Sequence, residues 1–164
     1  MNPRLLLAYR ATSYAVDAVI IRIGRRSAPM DALLARMEAR TAVFVTAWNP
    51  RSRRMPEGWN RRMQCRLAER LRRHVNRPAS GSLRRWHEAH LLVAADPRPI
   101  VRLARLFRQR GVVVVSRHQA ARLVLLEPFP LPLAALAAKR TKAGESDANR
   151  TQHPPASGRG SRYN

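Results

Sequence analysis

Short, uninterrupted apolar runs alternate along this chain with longer segments whose apolar residues recur at helical spacing. Such continuous runs are typical of strands covered on both faces. The runs lie at 18–21, 43–45, 91–93, 112–115 and 123–126, and the first belongs to an extended segment over 9–23. Strands that alternate with helices favour an α/β sheet. We therefore predict the order β-α-β-α-β-α-β-β: a single small α/β domain with a mostly parallel sheet of four to five strands, one antiparallel pair at its end, and three helices.

The three helices are predicted from capping residues and apolar stripes. Ser27 can cap a helix over about 28–39, Pro56 suits the first turn of a helix that continues to about 75, and Asp96-Pro97 begins a third helix that Gly111 ends. Their apolar faces are formed by Met30, Leu33, Leu34 and Met37, then by Trp59, Met63, Leu67, Leu71 and Val75, then by Ile100, Leu103, Leu106 and Phe107. These spacings place each set on one side of its helix.

Two segments have the composition of irregular chain. Residues 76–85 contain Pro, Gly and two Ser and are predicted to form a surface loop. From 128 onward the sequence is rich in Thr, Ser, Gly, Pro and charge without apolar periodicity, which is typical of disorder. A chain of 164 residues suffices for one core. We therefore predict one domain at 1–127 and a basic, low-complexity, largely disordered tail at 128–164.

The charge of the chain is strongly positive and comes almost entirely from arginine. There are 32 basic and 10 acidic residues, a net charge of +22, and only Lys139 and Lys142 are lysines. Arginine bias of this kind also follows from a GC-rich genome, so only part of the charge argues for a polyanionic partner. Residues 51–85 hold 12 arginines against Glu57 and Glu69, which concentrates the charge in one part of the chain.

An arginine ridge on the second helix is the candidate surface for nucleic acid or another polyanion. Arg62, Arg66 and Arg70 recur at i, i+4 and i+8, and arginine grips phosphate bidentately. The full candidate set is Arg61, Arg62, Arg66, Arg70, Arg73, Arg77, Arg84 and Arg85. The alternative is an ordinary charged helix face. Because no nucleic-acid-binding motif is present, unspecific phosphate contact is favoured over sequence recognition.

The stretch Ala47-Trp48-Asn49-Pro50 marks a candidate ligand site, since it follows the second predicted strand and precedes the long helix. Ligands bind beyond the carboxyl ends of strands in open α/β sheets. The candidate ligand-binding residues are Trp48, Asn49, Ser52, Asn60 and Gln64. Their polar groups would bind a small polar ligand or a base edge, with Trp48 or Trp59 as a stacking face. The alternative, which we favour, is that Asn49 and Asn60 satisfy the backbone of a sharp loop.

No reaction is specified by the sequence, so an enzyme acting at the same loop is a third reading and a non-enzymatic binding or interaction domain is preferred. Gly24, Gly58, Gly81 and Gly111 stand apart, which excludes a Gly-rich phosphate loop. His87 and His90 are three apart at the start of a strand and would point to opposite faces. We expect no metal site and no cofactor.

The single cysteine and the absence of long apolar stretches bear on location. Cys65 alone cannot form an internal disulfide or a thiolate cage, and we expect it to be a small buried residue beside the apolar stripe. No apolar stretch reaches the roughly 20 residues of a membrane helix. A cytoplasmic protein without membrane contact is predicted, and its oligomeric state is left open.

Several motifs resemble a bacterial family known as domain of unknown function 3293, over about 9–126. They are the opening Tyr9-Arg10-Ala11-Thr12-Ser13-Tyr14, the pair Ile23-Gly24, the segment Phe44 to Pro50 with Ser52, and Asn60. The chain departs from the family pattern at Gln64, at the basic loop before Trp86 and at Phe107-Arg108-Gln109-Arg110. The resemblance implies a fold and a candidate site at the 47–50 loop, but no activity, because none is established for the family.

Overall fold

The computed structural model describes residues 3–126, and within this range it contains four α-helices, one 3-10 turn and seven strands. In chain order they are α1 Pro3–Ala11, β1 Ser13–Val16, β2 Val19–Ile21, α2 Ala28–Arg36, β3 Thr41–Val45, the 3-10 turn Pro50–Ser52, α3 Glu57–Leu71, β4 Asn76–Leu83, β5 Trp86–Ala94, α4 Pro97–Leu106, β6 Gly111–Ser116 and β7 Arg122–Leu125. The predicted tail at 128–164, and residue 127 of the predicted domain, lie outside the described residues.

The strands form one sheet in the order β2-β1-β4-β5-β3-β6-β7, and every neighbouring pair is antiparallel. The predicted mostly parallel sheet of four to five strands with three helices is therefore wrong. Part of the error lies at the start of the chain, where one strand was predicted in place of a helix end and two strands. The predicted extended segment over 9–23 is the end of α1 followed by the β1–β2 hairpin, in which Val16 pairs with Val19.

The larger part of the error comes from β4, which was predicted as the 76–85 loop. Residues 76–83 pair along their whole length with β5, and Leu83 pairs with Trp86 across the two-residue turn Arg84-Arg85. Arg84 has a φ of 52°, as tight hairpin turns require. Pro78 pairs only with β5, because the pairing with β1 stops at Ala79. A proline is tolerated there, where the ladder is one-sided.

The helices still connect strands that run in the same direction, but those strands are not neighbours. From the antiparallel pairings, β3 and β4 run in the same direction with β5 between them, and β5 and β6 do so with β3 between them. The β2–α2–β3 connection moves along the sheet in the opposite sense to β3–α3–β4. Right-handed crossovers then require α2 and α3 to cover opposite faces.

The core is divided into two layers by the sheet, as these crossovers require. On the first face, α2 contributes Met30, Leu33 and Leu34, which pack with Phe44 of β3. On the second face lie α3 and α4, whose buried side chains are Leu67, Leu71, Ile100 and Ala104. Successive strand residues point to opposite faces. The apolar run of β3 is continuous because both of its faces are covered.

Ser27 and Asp96, two of the predicted helix signals, are N-caps in the structure, whereas Gly111, which was predicted to end the third helix, begins β6. Ser27 Oγ accepts a hydrogen bond from the Met30 N–H at 3.3 Å, and Asp96 Oδ1 accepts one from the Arg98 N–H at 2.7 Å. Cys65, in contrast, is exposed rather than buried. It precedes the buried Leu67 by two residues, and two residues of helix rotate the side chain by roughly 200°. Across 3–126, none of the helices combines the length and the apolar character that crossing a membrane requires.

Candidate ligand cavity

A cavity of about 290 Å³ lies on the first face of the sheet. Its floor is formed by residues of β1, β3, β4, β5 and β6, and α1 contributes Leu5, Ala8 and Tyr9 to its wall. An apolar protein cavity of roughly 150 Å³ already accommodates benzene. The cavity therefore has room for a single-ring compound with a substituent.

Two glycines of the floor allow aromatic rings to rest directly on the backbone. A Cβ on Gly111 would lie 3.3 Å from Cζ of Tyr9, and a Cβ on Gly81 would lie 2.8 Å from Cε1 of His90. The second distance is too short for ordinary van der Waals contact. Glycine in a strand interior marks such a close approach. Gly81 thus makes room for the His90 ring, and Gly111 for the ring of Tyr9.

Glu88 is the one carboxylate among the described residues that line the cavity. Asn49 donates from Nδ2 to Glu88 Oε1 at 2.9 Å. Burial raises the pKa of Glu88, while hydrogen bonds from the Asn49 and Trp86 side chains and the charge of His87 act in the opposite direction. Both of these hydrogen-bond donors are neutral. Within 3–126, Glu88 has no ion pair.

His90 lies two residues beyond Glu88 on the same face of β5 and is 9% exposed. Its Nδ1 is 3.1 Å from the Glu88 carbonyl oxygen, and its ring meets Tyr14 edge-on at 5.7 Å between centroids. Burial lowers the pKa of His90 to about 4, so the imidazole is neutral near pH 7. Because a carbonyl only accepts, Nδ1 carries the proton and Nε2 is left as an acceptor.

Two tyrosines complete the polar lining near Glu88. The pKa of Tyr9 is raised to about 12, mainly by burial and to a lesser extent by the Glu88 charge, while Arg110 acts in the opposite direction. The pKa of Tyr14 is also raised, first by burial and then by Tyr9 and Glu88, while a hydrogen bond with the Thr12 side chain lowers it. Both phenols therefore remain protonated at neutral pH and can donate a hydrogen bond.

The 47–50 loop is held by the two asparagines that the sequence singled out. The Asn49 N–H donates to Asn60 Oδ1 at 3.0 Å, and Asn60 Nδ2 donates to Asn49 Oδ1 at 3.1 Å. Asn49 Oδ1 also accepts from the Met55 N–H at 2.9 Å. Asn49 has a φ of 47°, a left-handed conformation that asparagine adopts more readily than most residues. Together these bonds connect the loop to the start of α3.

The remaining ligand candidates divide between this loop and the cavity. Gln64 Oε1 accepts from the Ala47 N–H at 3.0 Å, and the Trp48 carbonyl accepts from Gln109 Nε2 at 2.9 Å. Ser52 is exposed and lines the cavity, whereas Trp48, Asn49, Asn60 and Gln64 do not. Asn49 touches the cavity only through Glu88. A ligand-binding role of these five residues stays a prediction.

The residues that sequence reasoning missed are Glu88, His90, Tyr9 and Tyr14. One signal was available: Trp86, Glu88 and His90 alternate along β5 and so share a face. His87 lies on the opposite face, is exposed, and has its Nδ1 3.1 Å from Ser82 Oγ. Over 3–126, no three His, Cys, Asp or Glu side chains are grouped in a way that could hold a metal ion.

The arginine candidates do not form one continuous ridge. Arg62, Arg66 and Arg70 are exposed on α3, but Arg77 Nη1 contacts Asp17 Oδ2 at 3.1 Å. Arg77 also pairs with Leu92, whose side chain packs on the first face, whereas α3 covers the second. Arg84 and Arg85 form the turn at the other end of β4, and Arg61 is paired with Glu57. Arg73 follows the end of α3 and is exposed.

The described part of the chain is thus a small domain in which an antiparallel sheet lies between helices and one face holds a ligand-sized cavity. Residues 45–112 match the profile of a family described as "Protein of unknown function (DUF3293)". The resemblance noted in the sequence is confirmed over these residues, which include Asn49, Asn60, Glu88 and His90. No curated protein and no solved structure matches the chain.

Proposed function

We propose that the protein is a small binding domain whose ligand site is the cavity between α1 and the sheet. The observation that carries the proposal is Glu88. Glu88 is half-buried, and a carboxylate that is partly withdrawn from water is destabilised unless a cation or hydrogen-bond donors compensate. Here it is held by neutral donors, and it forms no ion pair within residues 3–126. A partly buried ionisable group in a cavity that aromatic and apolar side chains also line is typical of a binding site.

The contact between the 47–50 loop and Glu88 also supports the proposal. Asn49 orients the Glu88 carboxylate, and Ser52, three residues further along, lines the cavity. Asn49 is itself held by Asn60. We infer that the loop holds the cavity wall in place. In this proposal, the two roles considered for the loop, support of the backbone and part of a ligand site, are connected through Glu88.

The proposal is tested by titrating the full chain with benzyl alcohol, a neutral single-ring probe, while backbone amide shifts are recorded by NMR. We expect the shifts to concentrate at cavity residues such as Gly81, Glu88 and Gly111. Ala8→Leu places three further carbon atoms in the cavity and should abolish them. Ala32→Leu, on the exposed face of α2, is the matched control and should leave them unchanged. Absence of binding by benzyl alcohol and by natural single-ring compounds would overturn the proposal.

A second candidate function is association with nucleic acid or another polyanion through α3. It is supported by Arg62, Arg66 and Arg70, which are exposed on one helix and have no carboxylate partner among the described residues. The test is whether changing these three arginines together to Gln abolishes binding of single-stranded RNA and duplex DNA. Both candidate functions suit the cytoplasmic location predicted from the sequence.

A further inference from the structure

We infer that the cavity selects an organic cation, a protonated primary amine carried on a small apolar body. This inference rests on the proposed function, because it names the class of ligand for the same cavity. It follows from three features of the cavity: its hydrogen-bond acceptors, its aromatic rings, and the absence of arginine and lysine from its described lining.

Apart from the hydroxyl groups of Tyr9, Tyr14 and Ser52, which can either donate or accept, the polar groups that remain for a ligand are hydrogen-bond acceptors. Glu88 offers a carboxylate, which also accepts from Asn49 at Oε1 and from the Trp86 side chain but has lone pairs left for a ligand. His90 offers Nε2, because Nδ1 is engaged with the Glu88 carbonyl. Gln109 uses its amide nitrogen on the Trp48 carbonyl, which leaves its oxygen as an acceptor. A protonated amine has three donors and no acceptor, and so complements this set.

Aromatic rings line the cavity next to the carboxylate. Tyr9, Tyr14, Phe44 and Trp86 all contribute to its wall. The face of an aromatic ring attracts a cation, and indole does so most strongly. Trp86 already makes such a contact, because the guanidinium carbon of Arg54 lies 5.9 Å from its ring centroid. Rings combined with a carboxylate favour an ammonium group over a neutral hydroxyl of the same size.

The charge of the chain makes cation binding diagnostic. The sequence carries +22, yet neither arginine nor lysine lines the cavity within the described residues. At long range, this positive charge attracts anions to the protein surface and repels protonated amines. An amine that binds this protein must therefore gain its free energy from local contacts. Glu88 is the one charged group of the described lining that can provide them.

The test compares benzylamine, benzyl alcohol and benzoate, which share one ring and differ in charge, against the full chain by NMR titration. We expect benzylamine to bind at least roughly tenfold more tightly than benzyl alcohol, since hydrogen bonds to a charged group are the stronger ones. In Glu88→Gln this selectivity should fall to near unity. Glu57→Gln, which makes the same change on the exposed surface of α3, should retain it.

The outcomes separate this inference from the proposed function. If benzylamine and benzyl alcohol bind with equal affinity, and both lose binding in Ala8→Leu, the preference for an amine is overturned and the cavity remains a binding site. If benzoate binds most tightly and still does so in Ala8→Leu, binding is due to attraction by the positively charged surface, and the preference for an amine is overturned as well. Absence of binding by all three probes would contradict both proposals. If Glu88→Gln does not fold, Glu88→Asp retains the charge one methylene away and should reduce the selectivity.

Discussion

Asn49 Nδ2 donates to Glu88 Oε1 across 2.9 Å, which joins the loop after β3 to the carboxylate of the neighbouring strand β5. Asn49 is 5% exposed and Asn60, which holds its backbone, is 3% exposed. The chain is therefore braced from α3 through the loop to the cavity wall. A change at Asn49 should act both on stability and on the position of Glu88.

The first prediction concerns the side-chain bonds of Asn49. Asn49→Gly retains access to a φ of 47° but removes the bonds to Glu88, Met55 and Asn60. We expect it to lower the free energy of unfolding by about 1–3 kcal/mol. Asn49→Ala should cost roughly 1 kcal/mol more, because alanine adds strain in the left-handed conformation. Urea unfolding measures both. A Gly variant as stable as wild type would show that the brace contributes nothing.

The second prediction concerns the space above Gly81. Gly81→Ala places a Cβ at 2.8 Å from Cε1 of His90 and should lower the free energy of unfolding by about 1–3 kcal/mol, as overpacking does. Gly58→Ala on α3 is the matched control: its Cβ meets only Arg62 Nη1 at 3.7 Å. That variant should gain at most about 0.5–1 kcal/mol from helix propensity, because Gly58 is the second residue of α3 and not in its interior. Thermal unfolding of the pair checks the sign of each change. Equal effects would mean that His90 does not occupy the described position.

The third prediction is a pH dependence that His90 introduces. Its pKa is about 4 in the folded protein and about 6.5 in the unfolded chain, so only the unfolded state takes up a proton between these values. The stability due to neutral His90 is complete above about 6.5 and is lost as the pH falls towards 4. The loss is at most roughly 3 kcal/mol. The raised pKa of Glu88 acts with the opposite sign, and the lowered pKa of Asp31 with the same sign.

His90→Phe isolates this effect, because Glu88 and Asp31 are present in both proteins. Urea unfolding between about pH 7 and pH 4 should show a steeper loss of stability in wild type than in the variant. Parallel pH profiles would show that His90 titrates normally, and hence that its ring is not buried as described.

The fourth prediction tests the polyanion candidate on α3. Changing Arg62, Arg66 and Arg70 together to Gln should weaken binding of single-stranded RNA and duplex DNA. It should also reduce the dependence of log Kd on log salt by about one for each phosphate that the variant no longer neutralises. Arg98→Gln, Arg102→Gln and Arg105→Gln on α4 form a control with the same change in charge. Equal weakening in both variants would mean that net charge alone drives the association.

The local elements of this fold are largely visible in the sequence. Ser27 and Asp96 cap helices where predicted, and the apolar runs at 43–45, 91–93 and 112–115 lie within β3, β5 and β6. Strand β4 was missed because Pro78 and Gly81 are typical of turns. Both are tolerated in it for reasons that involve other strands: Pro78 extends past the pairing with β1, and Gly81 accommodates His90.

The candidate site likewise contains residues that the sequence identifies and residues that only the tertiary structure identifies. The polar residues around 47–60 could be recognised because they follow a strand and begin a helix, and the sequence suggested that Asn49 and Asn60 satisfy the loop backbone. The alternation of Trp86, Glu88 and His90 places Glu88 on one face of β5, but it does not show that this face is covered, and a glutamate on a strand is ordinarily solvated. Its partial burial follows from α1 covering this part of the first face and from Asn49 reaching across from the loop after the neighbouring strand β3.

Helix caps, apolar stripes and buried runs depend on residues a few positions apart, and for this reason the sequence alone locates most elements and the basic face of α3. Strand neighbours depend on pairing between residues far apart, such as Thr41 with Ser116 and Ser13 with Ser82. A local pattern carries no information on which partner is available. The antiparallel sheet, the cavity and the carboxylate within it arise only when those distant segments pack together.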